Sequence, residues 1–297
     1  RPLITDTRID IMSWLDDGLA LRIEYEYSTV RVRSAVATPS VWVVSLARPD
    51  KYNAMNALCW VEWRSVFERI GADTSCRVVV IAGEGKHFCA GLDLMDPGLP
   101  AYEGDDIGRK GYHMRHHIKR MQDTFSVMEA IPQPVIAAVH GACIGAGIDM
   151  LCAASVRLCS ADAVFSIKEV DVGLCADVGT LQRLPLIVGN HSLLNELALT
   201  ARKWPAAEAL QFGFVSGVSA DRAALGARAM AMASLIATKS PLAVTGTKAN
   251  LLHARDHTVA EGLDYVALWN ASALQSDDMP SAAMAFMAKQ TPTFAKL

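Results

Sequence analysis

An α/β layered core followed by a helical C-terminal region is the architecture this sequence predicts, on two observations. Between residues 40 and 167 short β-branched runs alternate with stretches of helical periodicity, as in stacked layers of strands and helices. From about residue 190 the pattern turns helical, with apolar residues at helical spacing. In order, "SVWVVSLARP" (40–49) is β-branched and aromatic, stops at Pro49, and reads as a strand. "NALCWVEWRSVFERIGAD" (56–73) carries apolar residues at helical spacing, with Gly71 as its stop. "CRVVVIAGEG" (76–85) is a short apolar strand ending at glycines, and residues 134–167 run strand, glycine-rich turn, helix, strand. "HSLLNELALTARKW", "DRAALGARAMAMASLIATKS", "PLAVTGTKANLLHARD" and "TVAEGLDYVALWNASALQS" are the later helices. No low-complexity linker intervenes, so the core is assigned to 1–220, with 1–20 as an extension, and the helical region to 221–297.

Bulk properties exclude several classes. At 297 residues, half of them apolar and a fifth charged, the chain can pack an ample core. A net charge of -3 gives no general attraction to nucleic acid or anionic membrane, and no run approaches a membrane span. The seven cysteines show no CxxC pairing and sit mostly in apolar company, which predicts buried free thiols rather than disulfides or a zinc site. Asp6, Asp10, Asp16 and Asp17 make the first 20 residues unlike an acid-poor transit peptide. The final Ala295-Lys296-Leu297 differs by one small residue from the Ser-Lys-Leu peroxisomal address, so a peroxisome is expected, with the mitochondrion as the alternative. The polar stretch 97–122 predicts a mobile loop entering a surface helix whose Arg109–Arg120 cluster is a solvated face. His113, His116 and His117 lack acidic or cysteine partners at metal-ligand spacing, so no metal is expected.

Against this background "SIKEVDVGLCADVGTLQRLP" (166–185) stands out, because Glu169, Asp171 and Asp177 lie among core-type residues. An ionised carboxylate is expensive to bury alone and usually shifts its pKa instead. Read as a strand, "AVFSIKEV" puts Glu169 on the face of Phe165 and Ile167, a break in patterning of the kind found at functional sites. A strand-end glutamate turning to solvent is the plainer alternative. Asp149 lies in "GAGIDMLCAASV", a helix apolar nearly all round, where it could simply complement the helix dipole. Asp177 precedes "VGTLQRL", where it could be an N-cap. Asp171 falls in a glycine-containing turn and is not ranked as catalytic.

Two glycine turns accompany these acids. "FCAGLDL" (88–94) follows one strand and "GACIGAG" (141–147) another, so unpaired backbone N–H groups of both can point into one cleft. Two such donors on one oxygen make an oxyanion hole that stabilises enolate charge.

With those residues in view, "RPDKYNAMN" (48–56), "KHFCAGLDL" (86–94), "PVIAAVHGACIGAGIDM" (134–150) and "KEVDVGLCADVGTLQRLP" (168–185) resemble the enoyl-CoA hydratase/isomerase, or crotonase, family from about residue 40 to 275. The resemblance is nearest to the Δ3,5-Δ2,4-dienoyl-CoA isomerase branch, which carries acids at the positions of Asp149, Glu169 and Asp177. It implies a spiral of ββα units with a C-terminal helical trimerisation region, a homotrimer or a dimer of trimers, an acyl-CoA thioester substrate, and neither metal nor redox cofactor. It also implies an oxyanion hole and substrate contacts at Ala90, Gly91, Leu92, Asp93, Leu94 and Ala146, with the N–H groups of Leu92 and Ala146 as donors. Ala146 replaces a usual glycine and is tolerable only at negative φ.

Moving a pair of double bonds from 3,5 to 2,4 removes a proton at C2 and delivers one at C6 through an extended dienolate. Asp177 is assigned to C2 and Glu169 to C6, with Asp149 tuning both. The competing expectations are an enoyl-CoA hydratase, a Δ3-Δ2-enoyl-CoA isomerase, an RNA-binding member, and a non-catalytic scaffold. The "WVEWRSVFERIGAD" helix balances its arginines with Glu62, Glu68 and Asp73, which is unlike an RNA-binding helix.

Overall fold

In the computed structural model, residues 9–10, 21–96 and 104–297 are described; most of the 1–20 extension and residues 97–103 of the expected loop lie outside them. The chain opens with strands β1 (Ile9–Asp10), β2 (Leu21–Glu26), β3 (Val30–Ala35) and β4 (Val41–Leu46). Helix α1 (Ala57–Gly71), β5 (Val78–Gly83), helix α2 (Ile107–Ala130), β6 (Val135–Val139) and β7 (Ala142–Ile144) follow. Next come α3 (Ala146–Cys152), β8 (Val156–Ser160), β9 (Val164–Ser166), α4 (Thr180–Arg183), α5 (His191–Thr200) and β10 (Trp204–Pro205). The chain then forms α6 (Ala206–Gln211), β11 (Gly217–Ser219), α7 (Arg222–Ala237), α8 (Pro241–His253), α9 (Val259–Ala273) and α10 (Asp278–Met287).

The strands form a large sheet ordered β1-β2-β3-β4-β5-β6-β8-β11 and a small one ordered β10-β9-β7. β1 to β4 pair antiparallel, whereas β4, β5, β6, β8 and β11 run parallel. The central strands "VWVVSL", "VVVIAG" and "VIAAV" are buried along their whole length, as parallel strands covered on both faces must be. On one face Trp63, Phe67, Phe88, Phe125, Phe165, Trp204 and Phe214 join the two sheets to α1, α2 and α3. The other face is covered by Leu225, Ala229 and Ala233 of α7. Thus α7, which the boundary at 220 assigns to the C-terminal region, packs on the core sheet.

Helix α1 begins at Asn56, whose side chain accepts the Cys59 N–H, and buries Cys59, Trp60, Trp63, Val66, Phe67 and Ile70 at three- and four-residue intervals. Glu62 on the same helix is buried and accepts the backbone N–H groups of Ser28 and Thr29 at 3.0 and 2.7 Å, tying down the β2–β3 turn. Six cysteines are buried as expected, but Cys175 is exposed in the turn before Asp177. His113 and His116 pack against Tyr112 on the solvent side of α2. No helix among the described residues is long and apolar enough to cross a membrane.

Candidate active site

The parallel arrangement delivers the two glycine turns to one place, beyond the carboxyl ends of β5 and β6, where open α/β sheets bind ligands. The first turn is stitched to β7 by Cys89 N–H on the Ala142 carbonyl (3.1 Å) and Ile144 N–H on the Cys89 carbonyl (2.9 Å). Met55 grips it from the far side, donating to Gly91 O at 2.8 Å and accepting from Asp93 N at 3.0 Å. That alternation turns the intervening Leu92 N–H away from Met55. Gly91 has φ +93 and lies so close to β7 that a Cβ would sit 3.0 Å from Ile144 O and 3.8 Å from Ala146 N. Gly145, at φ +51, meets the same turn: a Cβ there would stand 3.8 Å from the Gly91 Cα and 3.3 Å from Glu169 Oε1. Neither position can carry a side chain without strain or collision.

Ala146 opens α3 and is not among the residues with positive φ, so its methyl is accommodated. Among the described residues, the backbone N–H groups of Leu92 and Ala146 have no hydrogen-bond acceptor. They belong to two touching turns and border a cavity of about 120 Å³, whose walls include Ala90, Gly91, Leu92, Leu94 and Ala146. Asp93 is not in that wall. Its carboxylate instead accepts from Arg48 Nη2 at 2.9 Å, which holds its pKa below the ordinary value despite an opposing desolvation.

All three proposed acids border the cavity. Glu169 does not lie on a strand: β9 ends at Ser166, and Glu169 begins a 3₁₀ turn, Glu169–Val172, that lifts its carboxyl over Gly145. The strand alternation read from "AVFSIKEV" therefore gives the right neighbourhood by the wrong geometry. Asp171, one turn on, is exposed and ion-paired to Lys168. Asp177 is not an N-cap either. Gly179 occupies that position of α4, and the Thr180 N–H is taken at 2.6 Å by Oδ1 of Asp149, 31 residues earlier. Asp149 thus caps a neighbouring helix while buried completely, with Oδ2 meeting no partner among the described residues. Gln122 of α2 fixes the Asp177 segment by donating to its carbonyl at 2.7 Å, and Arg183 of α4 reaches Glu129 of α2 at 2.7 Å.

Burial sets the electrostatics. It pushes the Asp149 carboxyl up to about 7, helped by the Glu169 charge and opposed by the Thr180 hydrogen bonds. Desolvation also raises Glu169, against its backbone donors and with the charge of Asp177 adding. Asp177 is raised mainly by desolvation, while its own backbone N–H and His117 pull it down. Raised carboxyls of this kind are moved toward the range in which a general acid or base holds and releases its proton. Trp60, Met121, Ile144, Lys168, Val172, Leu174 and Val178 complete the wall, and none of them was marked in the sequence. Trp60 reads there as one more member of an apolar helical stripe.

A fold with two opposed turns over three acids, Asp149 buried and Glu169 and Asp177 half-buried, defines a class, and comparison with known proteins agrees. Residues 37–296 match the enoyl-CoA hydratase/isomerase family model, and the chain belongs to that family. Similar curated proteins include the mitochondrial Δ(3,5)-Δ(2,4)-dienoyl-CoA isomerase of Homo sapiens, 50% identical over 92% of this chain and 84% of that one. The peroxisomal Δ(3,5)-Δ(2,4)-dienoyl-CoA isomerase of Arabidopsis thaliana is 43% identical over 91% and 98%. Among solved structures, a putative enoyl-CoA hydratase from Streptomyces coelicolor A3(2) superposes with a TM-score of 0.81 at 28% identity, covering 91% of this chain and 95% of that one. The enoyl-CoA hydratase of Bacillus anthracis gives 0.78 at 27%, over 92% and 98%. The crotonase-type fold is therefore shared with both.

Proposed function

We propose that this enzyme isomerises 3,5-dienoyl-CoA thioesters to 2,4-dienoyl-CoA, and that it does so with two carboxyl groups standing apart along one apolar slot. The observation that carries the reading is the convergence of Asp149, Glu169 and Asp177 on a cavity roofed by two unpaired amides. The thioester oxygen accepts the N–H groups of Leu92 and Ala146, which favours charge on that oxygen when C2 loses its proton. Asp177 removes that proton. The negative charge spreads along the conjugated chain, and Glu169 delivers a proton at C6. Asp149, held by Thr180 and itself raised to about 7 by burial and the Glu169 charge, tunes its neighbours and contributes no atom to the substrate. Every step uses carboxyls and amides of this chain, so the reading includes no metal and no redox cofactor. Incubation with a 3,5-dienoyl-CoA should raise the ultraviolet absorbance of the conjugated 2,4-dienoyl product. Hydration of a 2-enoyl-CoA with no such isomerisation would favour the hydratase reading instead.

The same reading includes a homotrimer or a dimer of trimers. Helices α9 and α10 bury none of their residues within the chain, and Leu263, Leu268, Phe286 and Met287 are 62, 74, 82 and 75% exposed. Apolar surface of that extent is the mark of an interface. Light scattering at micromolar concentration should give at least three times the chain mass; a monomer would contradict the assembly.

For location, the reading takes Ala295-Lys296-Leu297 as the ligand of a peroxisomal import receptor. All three residues are exposed, although Arg77 Nη2 donates to the Phe294 and Ala295 carbonyls at 2.8 and 3.2 Å and must let go for the tail to extend. Deleting the tripeptide should move a tagged protein out of peroxisomes. An unchanged distribution would leave the mitochondrion as the alternative.

A further inference from the structure

The two-carboxyl reaction leaves a debt that the substrate cannot settle. The C2–H bond breaks onto Asp177 and a C6–H bond forms from Glu169, so the product departs with the same atoms as the substrate. The enzyme, however, ends with Asp177 protonated and Glu169 ionised, the reverse of its starting state. Before the next turnover Asp177 must lose a proton and Glu169 must regain one.

Close enough to Asp177 for their charges to interact stands a group the isomerisation does not use. His117 and Met121 share one face of α2, four residues apart, and with Trp60, Val61, Arg64 and Thr124 they border an open groove of about 480 Å³ between α1 and α2. Trp60 and Met121 also border the reaction cavity, so the groove adjoins it and leads outward. The same helix holds the Asp177 carbonyl through Gln122. The imidazole Nε2 is buried and has no hydrogen-bond partner among the described residues. The ring interacts with the charges of Arg120 on its own helix and of Asp177, and Arg64 lines the groove from α1, paired with Glu68 at 2.7 Å and with Asp123 at 3.4 Å. Desolvation, with Arg120, lowers the ring's pKa from the ordinary histidine value, and the charge of Asp177 opposes them.

We propose that His117 carries the proton from Asp177 to solvent between turnovers, resetting the base, while Glu169 takes up a replacement proton from solvent. The inference rests on Asp177 being the C2 base. It makes His117 a positioning and relay residue acting through Asp177, with no contact to the reacting carbons. The competing route is internal, from Asp177 through Asp149 to Glu169, because Asp149 senses the charge of both.

His117→Gln separates them. In the first turnover, measured with enzyme in excess over a 3,5-dienoyl-CoA, the variant should match wild type, since Asp177 starts ionised. Under steady state kcat should fall by about tenfold, with KM falling alongside or unchanged, and added imidazole should restore it. An unaltered kcat, or an equal loss in the first and later turnovers, overturns the relay. Substrate deuterated at C2 gives an independent reading. A solvent route washes the label out, whereas the internal route delivers it to C6 of a later product and overturns the proposal. Full activity in Asp177→Asn would instead remove the base on which the relay depends, so the two failures are distinguishable.

Discussion

Asp177→Asn is expected to lose roughly 10²–10⁴-fold in dienoyl isomerisation while folding and thioester binding change little. The amide keeps the size of the carboxyl and removes only its capacity to accept a proton. A capping role would predict the opposite, because Asn caps about as well as Asp. That role is already filled elsewhere: Gly179 stands at the N-cap of α4 and Asp149 takes the Thr180 N–H. Melting temperature should therefore stay near wild type for a reason visible in the fold. Glu169→Gln should lose isomerisation to a similar degree, yet continue to exchange the C2 proton with deuterated solvent, since abstraction survives when delivery at C6 fails. Exchange that persists in Asp177→Asn and vanishes in Glu169→Gln would reverse the two roles. The pH profile follows from the same pair. Rate falls as pH drops through the raised Asp177 pKa, because the base must be ionised. It falls again as pH climbs through the raised Glu169 pKa, because the acid must hold its proton. Near-wild-type rate in Asp177→Asn would sink the two-carboxyl mechanism.

Much of this fold is legible in the sequence because the central strands are continuous β-branched runs and α1 a regular apolar stripe. The β2–β3 hairpin is harder to read. Arg33 interrupts its pattern, yet is buried and ion-paired with Glu84 at 3.1 Å, from a strand end 51 residues away. Helix α10 is built mainly from small residues, Met and Phe286, and none of its residues is buried among the described residues. In the site, glycines announce both turns and apolar neighbours announce the acids. What alternation misses is the end of β9, whose neighbour β7 itself stops at Ile144; beyond Ser166 the chain turns into the 3₁₀ segment that places Glu169. Asp93 lies within the right motif, but Arg48 claims its carboxylate, and only the tertiary fold brings the two together. His117 reads as one member of a polar helix face until the groove it shares with α1 and its electrostatic interaction with Asp177 are seen.

The oxyanion hole admits an equally direct test in Ala146→Pro, for which a loss of at least roughly 10²–10³-fold is expected. Proline at the first position of a helix is ordinarily tolerated, since the missing N–H has no intrahelical partner and the fixed φ is already helical. Here the Ala146 N–H donates to nothing among the described residues, and the first bond of α3 runs from Ile148 N to Gly145 O at 2.7 Å, which the substitution leaves intact. Gly145, at φ 51 and ψ -118, is the mirror image of an extended conformation, and extended backbone is what a residue before proline prefers. The helix should therefore form as before. What changes is the donor: a ring carbon replaces the hydrogen aimed at the thioester oxygen, so one hydrogen bond is lost and the oxygen is pushed away from Leu92 as well. Because that bond strengthens as charge reaches the oxygen, kcat should suffer more than KM. Exchange at C2 should fall together with isomerisation, unlike in Glu169→Gln, since the dienolate itself is destabilised. An Ala146→Pro enzyme that isomerises within about threefold of wild type would show that the second amide does not carry the charge.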